Sequence, residues 1–188
     1  MINYPNRKKT QIQSSRQATN ADRGMGLEHD INLTNAYYRD LDRAVIHKKP
    51  TPITVVKVDY PSRTKAKISE AYYKVPSTTD YNGVYRGRYI DFEAKETQSK
   101  TAFALSNLHA HQIEHMQQVH RHGGLSFLLI RFATLDETYL LSIEKLTHFL
   151  TTQTRKSLPY AWIKEQGQLV SRKLTPPLDY LNALDMIG

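Results

Sequence analysis

The chain has 188 residues, with 26 lysines and arginines against 18 aspartates and glutamates, a formal net charge of +8 at pH 7, and no cysteine. These counts exclude disulfide scaffolds and cysteine-ligated zinc, and the charge favours a polyanionic partner, nucleic acid before an anionic membrane. The length suits one domain able to bury a core. With no apolar span of transmembrane length and no signal-peptide core, a cytoplasmic protein is the simplest reading.

Residues 1–22 are polar, carry Arg7, Lys8, Lys9 and Arg16, and lack apolar periodicity. A mobile tail is expected, either wrapping a phosphate backbone or simply solvated. From about Asp22 to Lys48 the spacing turns helical: Leu27, Ile31, Tyr38, Leu41 and Val45 form one stripe, which Pro50 and Pro52 end. Glu28 lies near the start of this helix, where a carboxylate favours the positive end of the dipole.

Ile53 to Tyr60 reads as a strand. The connection that follows, at about 61–77, interleaves Arg63, Lys65, Lys67 and Lys74 with Tyr72 and Tyr73. Cations beside aromatic faces suit phosphates and unstacked bases. An ordinary exposed connection has the same composition.

Thr78 to Thr97 (TTDYNGVYRGRYIDFEAKET) concentrates the chemistry. From Tyr89 the residues alternate, with Tyr89, Asp91, Glu93 and Lys95 on one face and Ile90, Phe92 and Ala94 on the other. This is the period of a half-buried strand whose charged side faces outward. A two-residue turn at Arg86-Gly87 pairs Tyr85 with Arg88, and counting outward sets Asp80 opposite Glu93 and Thr78 opposite Lys95. Opposed residues have Cβ atoms roughly 4.5–5.5 Å apart. Two carboxylates that close need a positive charge between them; a divalent cation with oxygen ligands supplies it, and Lys95 can face a phosphate. Asn82-Gly83 is the stronger hairpin signal, but turning there breaks the register, so Gly83 reads as a bulge or bend. Asp91 is the rival carboxylate, roughly 6.5 Å from Glu93 along one strand, which is far for joint coordination.

Farther on, Ser106 is a plausible N-cap for a helix ending at Gly123-Gly124. Leu108, His111 or Gln112, His115 or Met116, and Val119 share one side of it. Ser126 to Phe132 is a near-continuous apolar run, as in a central strand buried on both faces. Thr138 to Ile143 makes a neighbouring strand, followed by a helix at about 144–153. A small hairpin over Trp162 to Val170, turning at Gln166-Gly167, and a last helix opened by Pro176-Pro177 complete the chain. His111-Gln112-Ile113-Glu114-His115 satisfies the inverted zinc-peptidase pattern H-x-x-E-H. No third ligand is marked, and that reading leaves the basic charge unexplained. The histidines from His109 to His122 also suit a wet groove, the capping of polar contacts, or phosphate contacts.

An acid on one strand followed by Glu-x-Lys on the next is the pattern of metal-dependent nucleases with the restriction-endonuclease-like fold. RGMGLEHDIN, TTDY…YIDFEAKET and LSNLHAHQIEHM together resemble the RecU Holliday junction resolvases of Gram-positive bacteria. The resemblance covers nearly the whole chain after the tail. It implies an α/β nuclease domain over 23–188, with a mixed central β-sheet flanked by helices and a protruding stalk inserted at about 61–77. It implies that Thr78, Asp80, Glu93 and Gln112 contact Mg2+, with Mn2+ as a substitute, and that Lys95 stabilises the transition state. In that superfamily an acid on the first helix often lies near the metal, which concerns Glu28. Resolution of four-way junctions and other branched DNA in recombination and repair is implied, together with strand annealing and modulation of the RecA recombinase. Paired symmetrical nicks need two active sites, so a homodimer is expected. A sequence-specific restriction-type nuclease and a non-catalytic recombination factor are the competing readings.

Overall fold

The computed structural model describes residues 20–62, 65–74 and 78–187, with side chains from Gly26 onward. Its first element is α1 (Asn20–Asp40), which buries Leu27, Ile31 and Tyr38. The stripe stops there, because Leu41 and Val45 are exposed. The N–H groups of Leu41, Arg43 and Ala44 close onto the carbonyls of Tyr37 and Tyr38, and Asp42 takes a positive φ of 52°. The chain then enters β1 (Val45–Lys48) with Ile46 alone pointing inward. The helix expected through Lys48 therefore ends at Asp40. Over four residues an apolar position fits a period of 2 as well as 3.6, and the left-handed turn at Asp42 decides for the strand.

The stretch expected as the next strand forms β2 (Ile53–Ser62), but its partner is β3 (Lys65–Tyr73), in a two-stranded antiparallel sheet of their own. Nearly every residue of this hairpin is exposed. The first strand of the main sheet is thus β1, in place of Ile53 to Tyr60.

The chain continues through β4 (Tyr81–Tyr85), β5 (Arg88–Thr97), β6 (Ala102–Ala104) and a 3-10 turn at Leu105–Asn107. Next come α2 (Ala110–Arg121), β7 (Leu125–Phe132), β8 (Glu137–Ser142), α3 (Ile143–Thr152) and β9 (Ser157–Pro159). Last are α4 (Tyr160–Gln166), β10 (Gln168–Leu169) and α5 (Tyr180–Asp185). The main sheet runs β1-β4-β5-β7-β8-β10, antiparallel except for the parallel pair β5–β7. The fold is therefore mixed α/β, a central mixed sheet flanked by helices, as expected.

Three local expectations differ. Ser106 lies in the 3-10 turn, and α2 begins after His109. Trp162 sits in α4 and packs on Phe149, ring centroids 4.6 Å apart, so only Gln168–Leu169 remains extended against β8. The last helix starts at Tyr180, beyond the two prolines.

Two apolar layers cover the sheet. On one side Leu27, Ile31 and Tyr38 of α1 and Tyr180, Leu181 and Leu184 of α5 pack on Ile90, Phe92, Phe127 and Leu129. On the other, Met116, Leu146, Phe149 and Ile163 of α2, α3 and α4 cover Leu128, Ile130 and Leu141. Within the first layer Tyr81, Phe92 and Phe127 occupy paired positions on three adjacent strands and stack face to face, 4.9 and 4.8 Å between centroids. This aromatic ladder and the turn set one register. Arg86 (φ 48°) and Gly87 (φ 73°) both adopt the left-handed region that a tight two-residue hairpin requires.

Gly83 is neither bulged nor bent, since pairing is continuous from Tyr81↔Phe92 to Tyr85↔Arg88. Its role is closeness: a Cβ there would lie 2.0 Å from the carbonyl oxygen of Val45 on β1. Only a residue without a side chain lets the edge strand approach.

Candidate active site

The pairing of Tyr81 with Phe92 puts Asp80, just before β4, opposite Glu93. The two acids are laced together. The Asp80 N–H donates to Glu93 Oε2 at 3.1 Å, and the Ala94 N–H donates to Asp80 Oδ2 at 3.3 Å. Lys95 Nζ lies 2.5 Å from Glu93 Oε1, and Gln112 Nε2 donates to the same oxygen at 2.8 Å. Gln112 is held in turn, because its Oε1 accepts the N–H of His109 at 3.1 Å, the reciprocal arm of a capped helix start. Asp80, Glu93, Lys95 and Gln112 thus meet at one place. Thr78 lies at the same end of the hairpin, half-buried, but the ladder stops at Tyr81↔Phe92 and does not extend to a pairing of Thr78 with Lys95.

The face carrying these groups was expected to look outward. Glu93 and Asp91 are instead fully buried, because α2 lies over that side of β5. Burial foremost, and then the charge of Asp80, push the Glu93 carboxyl up to about 7, against the lowering effect of Lys95. A buried carboxylate beside another carboxylate is costly unless a cation joins them. The two carboxylates, with the Thr78 hydroxyl at the same end of the hairpin and no sulfur beside them, suit a hard ion; Gln112 presents its Nε2 to Glu93, its oxygen being taken by the His109 N–H. Part of the positive charge is already supplied by Lys95.

Asp91 has its own partners. Its Oδ2 accepts from Lys49 Nζ at 2.7 Å and from the Tyr89 hydroxyl at 2.9 Å, and its Oδ1 accepts from the Thr79 hydroxyl. His115 Nε2 lies 3.4 Å from Oδ2. Sequence reasoning missed Lys49 and Thr79, and placed His109 only within a histidine cluster, without its tie to Gln112. A histidine before Ala-His-Gln lacks the side chain that usually marks a capped start, and Lys49 sits in a dibasic pair before a proline like many exposed lysines. Of the peptidase-like motif, Glu114 is exposed and bonded to Gln118, while Gln112 and Met116 face inward. Glu28, on α1, is ion-paired with Lys48 at the surface.

The remaining basic candidates lie on the hairpin. Lys65, Lys67, Tyr72 and Tyr73 are exposed along β3, and Lys74 follows it, its N–H donating to the carbonyl of Pro52 at 2.9 Å. Tyr73 is 85% exposed, so its ring is free to contact a partner. Arg7, Lys8, Lys9, Arg16 and Arg63 lie outside the described residues. Among the described residues no helix is long and apolar enough to cross a membrane.

Comparison with known proteins agrees with the motifs. The chain is 53% identical to a Holliday junction resolvase RecU from Geobacillus sp. (strain WCH70), over 91% of this chain and 87% of that protein. It is 50% identical to the Holliday junction resolvase RecU of Bacillus cereus (strain B4264), over 99% and 98%. Among solved structures, Archaeoglobus fulgidus Hjc, a Holliday junction resolvase from an archaeal hyperthermophile, aligns over 77% of this chain and 93% of its own. That likeness is distant, with a TM-score of 0.44 and 11% identity. The family description "Recombination protein U" matches residues 22–186. The chain belongs to the RecU family.

Proposed function

We propose that this chain is a Holliday junction resolvase, a metal-dependent endonuclease that nicks two opposed strands of a four-way DNA junction. The observation that carries this reading is the meeting of the Asp80 and Glu93 carboxylates, from facing strand positions, with the Lys95 ammonium paired to Glu93. Curated relatives at about half identity that are named as resolvases support the same reading.

Asp80 and Glu93, joined by the Thr78 hydroxyl and, with its amide turned over from its bonds to His109 and Glu93, by the oxygen of Gln112, would hold Mg2+, with Mn2+ able to replace it. Such an ion neutralises the phosphodiester and makes water a better nucleophile at neutral pH. Lys95 supplies an ammonium to the phosphate oxygens as negative charge grows in the transition state, and the 3′ oxygen leaves. The Asp80 N–H keeps the Glu93 carboxylate in place, and Gln112 Nε2 does so in the amide orientation of the structure. Burial under α2 lowers the local dielectric and strengthens each of these interactions.

The hairpin β2–β3 acts as the stalk, offering lysines and tyrosines to the branch point. The enzyme works as a two-fold homodimer, because paired nicks need two sites. Strand annealing and modulation of RecA accompany resolution, and the protein acts in the cytoplasm. The test is incubation of the purified protein with a mobile four-way junction and with the matching linear duplex, each with Mg2+ or EDTA. Resolution of the junction alone, only with Mg2+, is expected. Cutting of linear duplex at a fixed site would make it a restriction-type enzyme. Annealing that survives Asp80→Ala, with no cleavage by the unaltered protein, would make it a non-catalytic factor.

A further inference from the structure

We propose that Lys49, Thr79 and Asp91 form a clamp whose task is to position Asp80 for metal binding, making Lys49 a positioning residue of the reaction. The inference rests on the metal-nuclease reading above and adds residues to it.

The loop before β4 is tied to β5 twice, with α2 against both places. In the first tie, Glu93 of β5 joins Asp80 and Gln112 of α2. In the second, two residues back on β5, Asp91 joins Thr79 through its hydroxyl and faces His115 of α2 at 3.4 Å. The loop before β4 is thus fastened to β5 at two adjacent levels through neighbouring residues, while α2 is bonded at the first level and only approaches at the second, where His115 Nε2 makes no hydrogen bond. Lys49 spans the second level. Its N–H donates to the carbonyl of Asp80 at 2.8 Å, and its Nζ reaches Thr79 Oγ1 at 2.9 Å and Asp91 Oδ2 at 2.7 Å. One residue thus holds the main chain of Asp80 and the side chain before it.

Stability alone does not call for this arrangement. Asp91 is fully buried and the Lys49 side chain is 19% exposed. Two groups taken so far out of water lose hydration, and a packed apolar pair generally serves the core as well. What the ion pair does that an apolar pair cannot is impose direction on the segment before β4, where the ladder has ended: the bonds to Glu93 and Ala94 hold the N–H and carboxylate of Asp80, and Lys49 fixes its carbonyl and the residue before it. Asp91, too far along the strand to share an ion with Glu93, works one step removed from the metal.

The full-length protein and its Lys49→Met, Thr79→Val and Thr79→Ser variants are titrated calorimetrically with Mn2+ alone. They are then assayed for junction nicking over a Mg2+ series and for junction binding in EDTA. Lys49→Met and Thr79→Val should each weaken Mn2+ binding by about 10- to 100-fold. The half-saturating Mg2+ should shift by a similar factor, while binding in EDTA stays unchanged. Thr79→Ser, which keeps the hydroxyl, should restore metal affinity to near the wild-type value. Thr79→Val is isosteric and carries the test if Lys49→Met does not fold. Unchanged Mn2+ affinity in the folded variants overturns the proposal, and so does lost junction binding in EDTA, which would make Lys49 a DNA contact. A wild-type protein that binds no Mn2+ and nicks no junction would instead remove the metal-nuclease reading on which the proposal stands.

Discussion

Asp80 and Glu93 hold each other across the strand pair: the N–H of Asp80 donates to Glu93 Oε2 at 3.1 Å, and Asp80 Oδ2 accepts the N–H of Ala94 at 3.3 Å. Neither carboxylate can turn away without breaking a bond to the other strand. The pair is preorganised, and its repulsion is what a bound cation would relieve.

A pH dependence follows from Glu93. Its carboxyl is raised from 4.5 to about 7 by burial and by Asp80, so the folded state binds the proton more tightly than the unfolded chain does. Its contribution to stability is complete below about pH 4.5 and is lost as pH rises through about 7. Metal-free protein should therefore lose about 1–3 kcal/mol between pH 5 and pH 8, and Glu93→Gln should abolish most of that loss. Urea denaturation in EDTA at both values measures it; parallel pH trends in the two proteins would contradict the assignment. Because a cation must displace this proton, half-saturating Mg2+ should also rise below neutrality, by about tenfold per pH unit.

Lys95 is within ion-pair distance of Glu93 Oε1 and partly open to solvent. Lys95→Met should lower the nicking rate about 100- to 1000-fold at saturating Mg2+, the range for loss of one preorganised charge at a transition state. Junction binding in EDTA should be retained. A comparable fall in binding by gel shift would transfer Lys95 from chemistry to DNA contact.

The hairpin makes a separable contribution. Lys65, Lys67 and Tyr73 are exposed, so alanine there should change stability by less than about 0.5 kcal/mol. If both lysines meet phosphates, the Lys65→Ala/Lys67→Ala protein should show a shallower dependence of junction affinity on salt, by about 0.9 in log–log slope per lost contact. An unaltered slope would leave the hairpin without a phosphate-binding role.

Gly83→Ala tests the edge of the sheet. The new methyl would fall 2.0 Å from the Val45 carbonyl oxygen, backbone that cannot step aside without parting β1 from β4. A loss of at least about 1–3 kcal/mol by thermal or urea unfolding is expected. Wild-type stability would mean that β1 is free to move.

The hairpin at the centre of the site was legible because its determinants are local. The turn residues Arg86-Gly87, the period of two and the adjacent aromatic positions together specify one register, and that register brings Asp80 to Glu93. The inward-facing Gln112 entered through resemblance, since a lone glutamine on a helix has no signal of its own. Depth was not legible. The alternation from Tyr89 to Lys95 separated two faces correctly, but whether the charged face meets water depends on α2 arriving from elsewhere in the chain.

The same distinction explains β1 and the clamp. Val45 to Lys48 satisfies helical and extended spacing alike, and the turn at Asp42 together with the neighbouring β4 chooses between them. Lys49, Thr79 and Asp91 are distant in sequence and ordinary in type; pairing of β1 with β4 and β4 with β5 makes them neighbours. What the amino-acid order determined by itself was the charge, the cysteine-free chemistry, the acid and Glu-x-Lys on consecutive strands, and the family. What only the tertiary structure decided was which of those charges are buried and what holds them, because desolvation and ion pairing depend on elements joined across the sheet rather than along the chain.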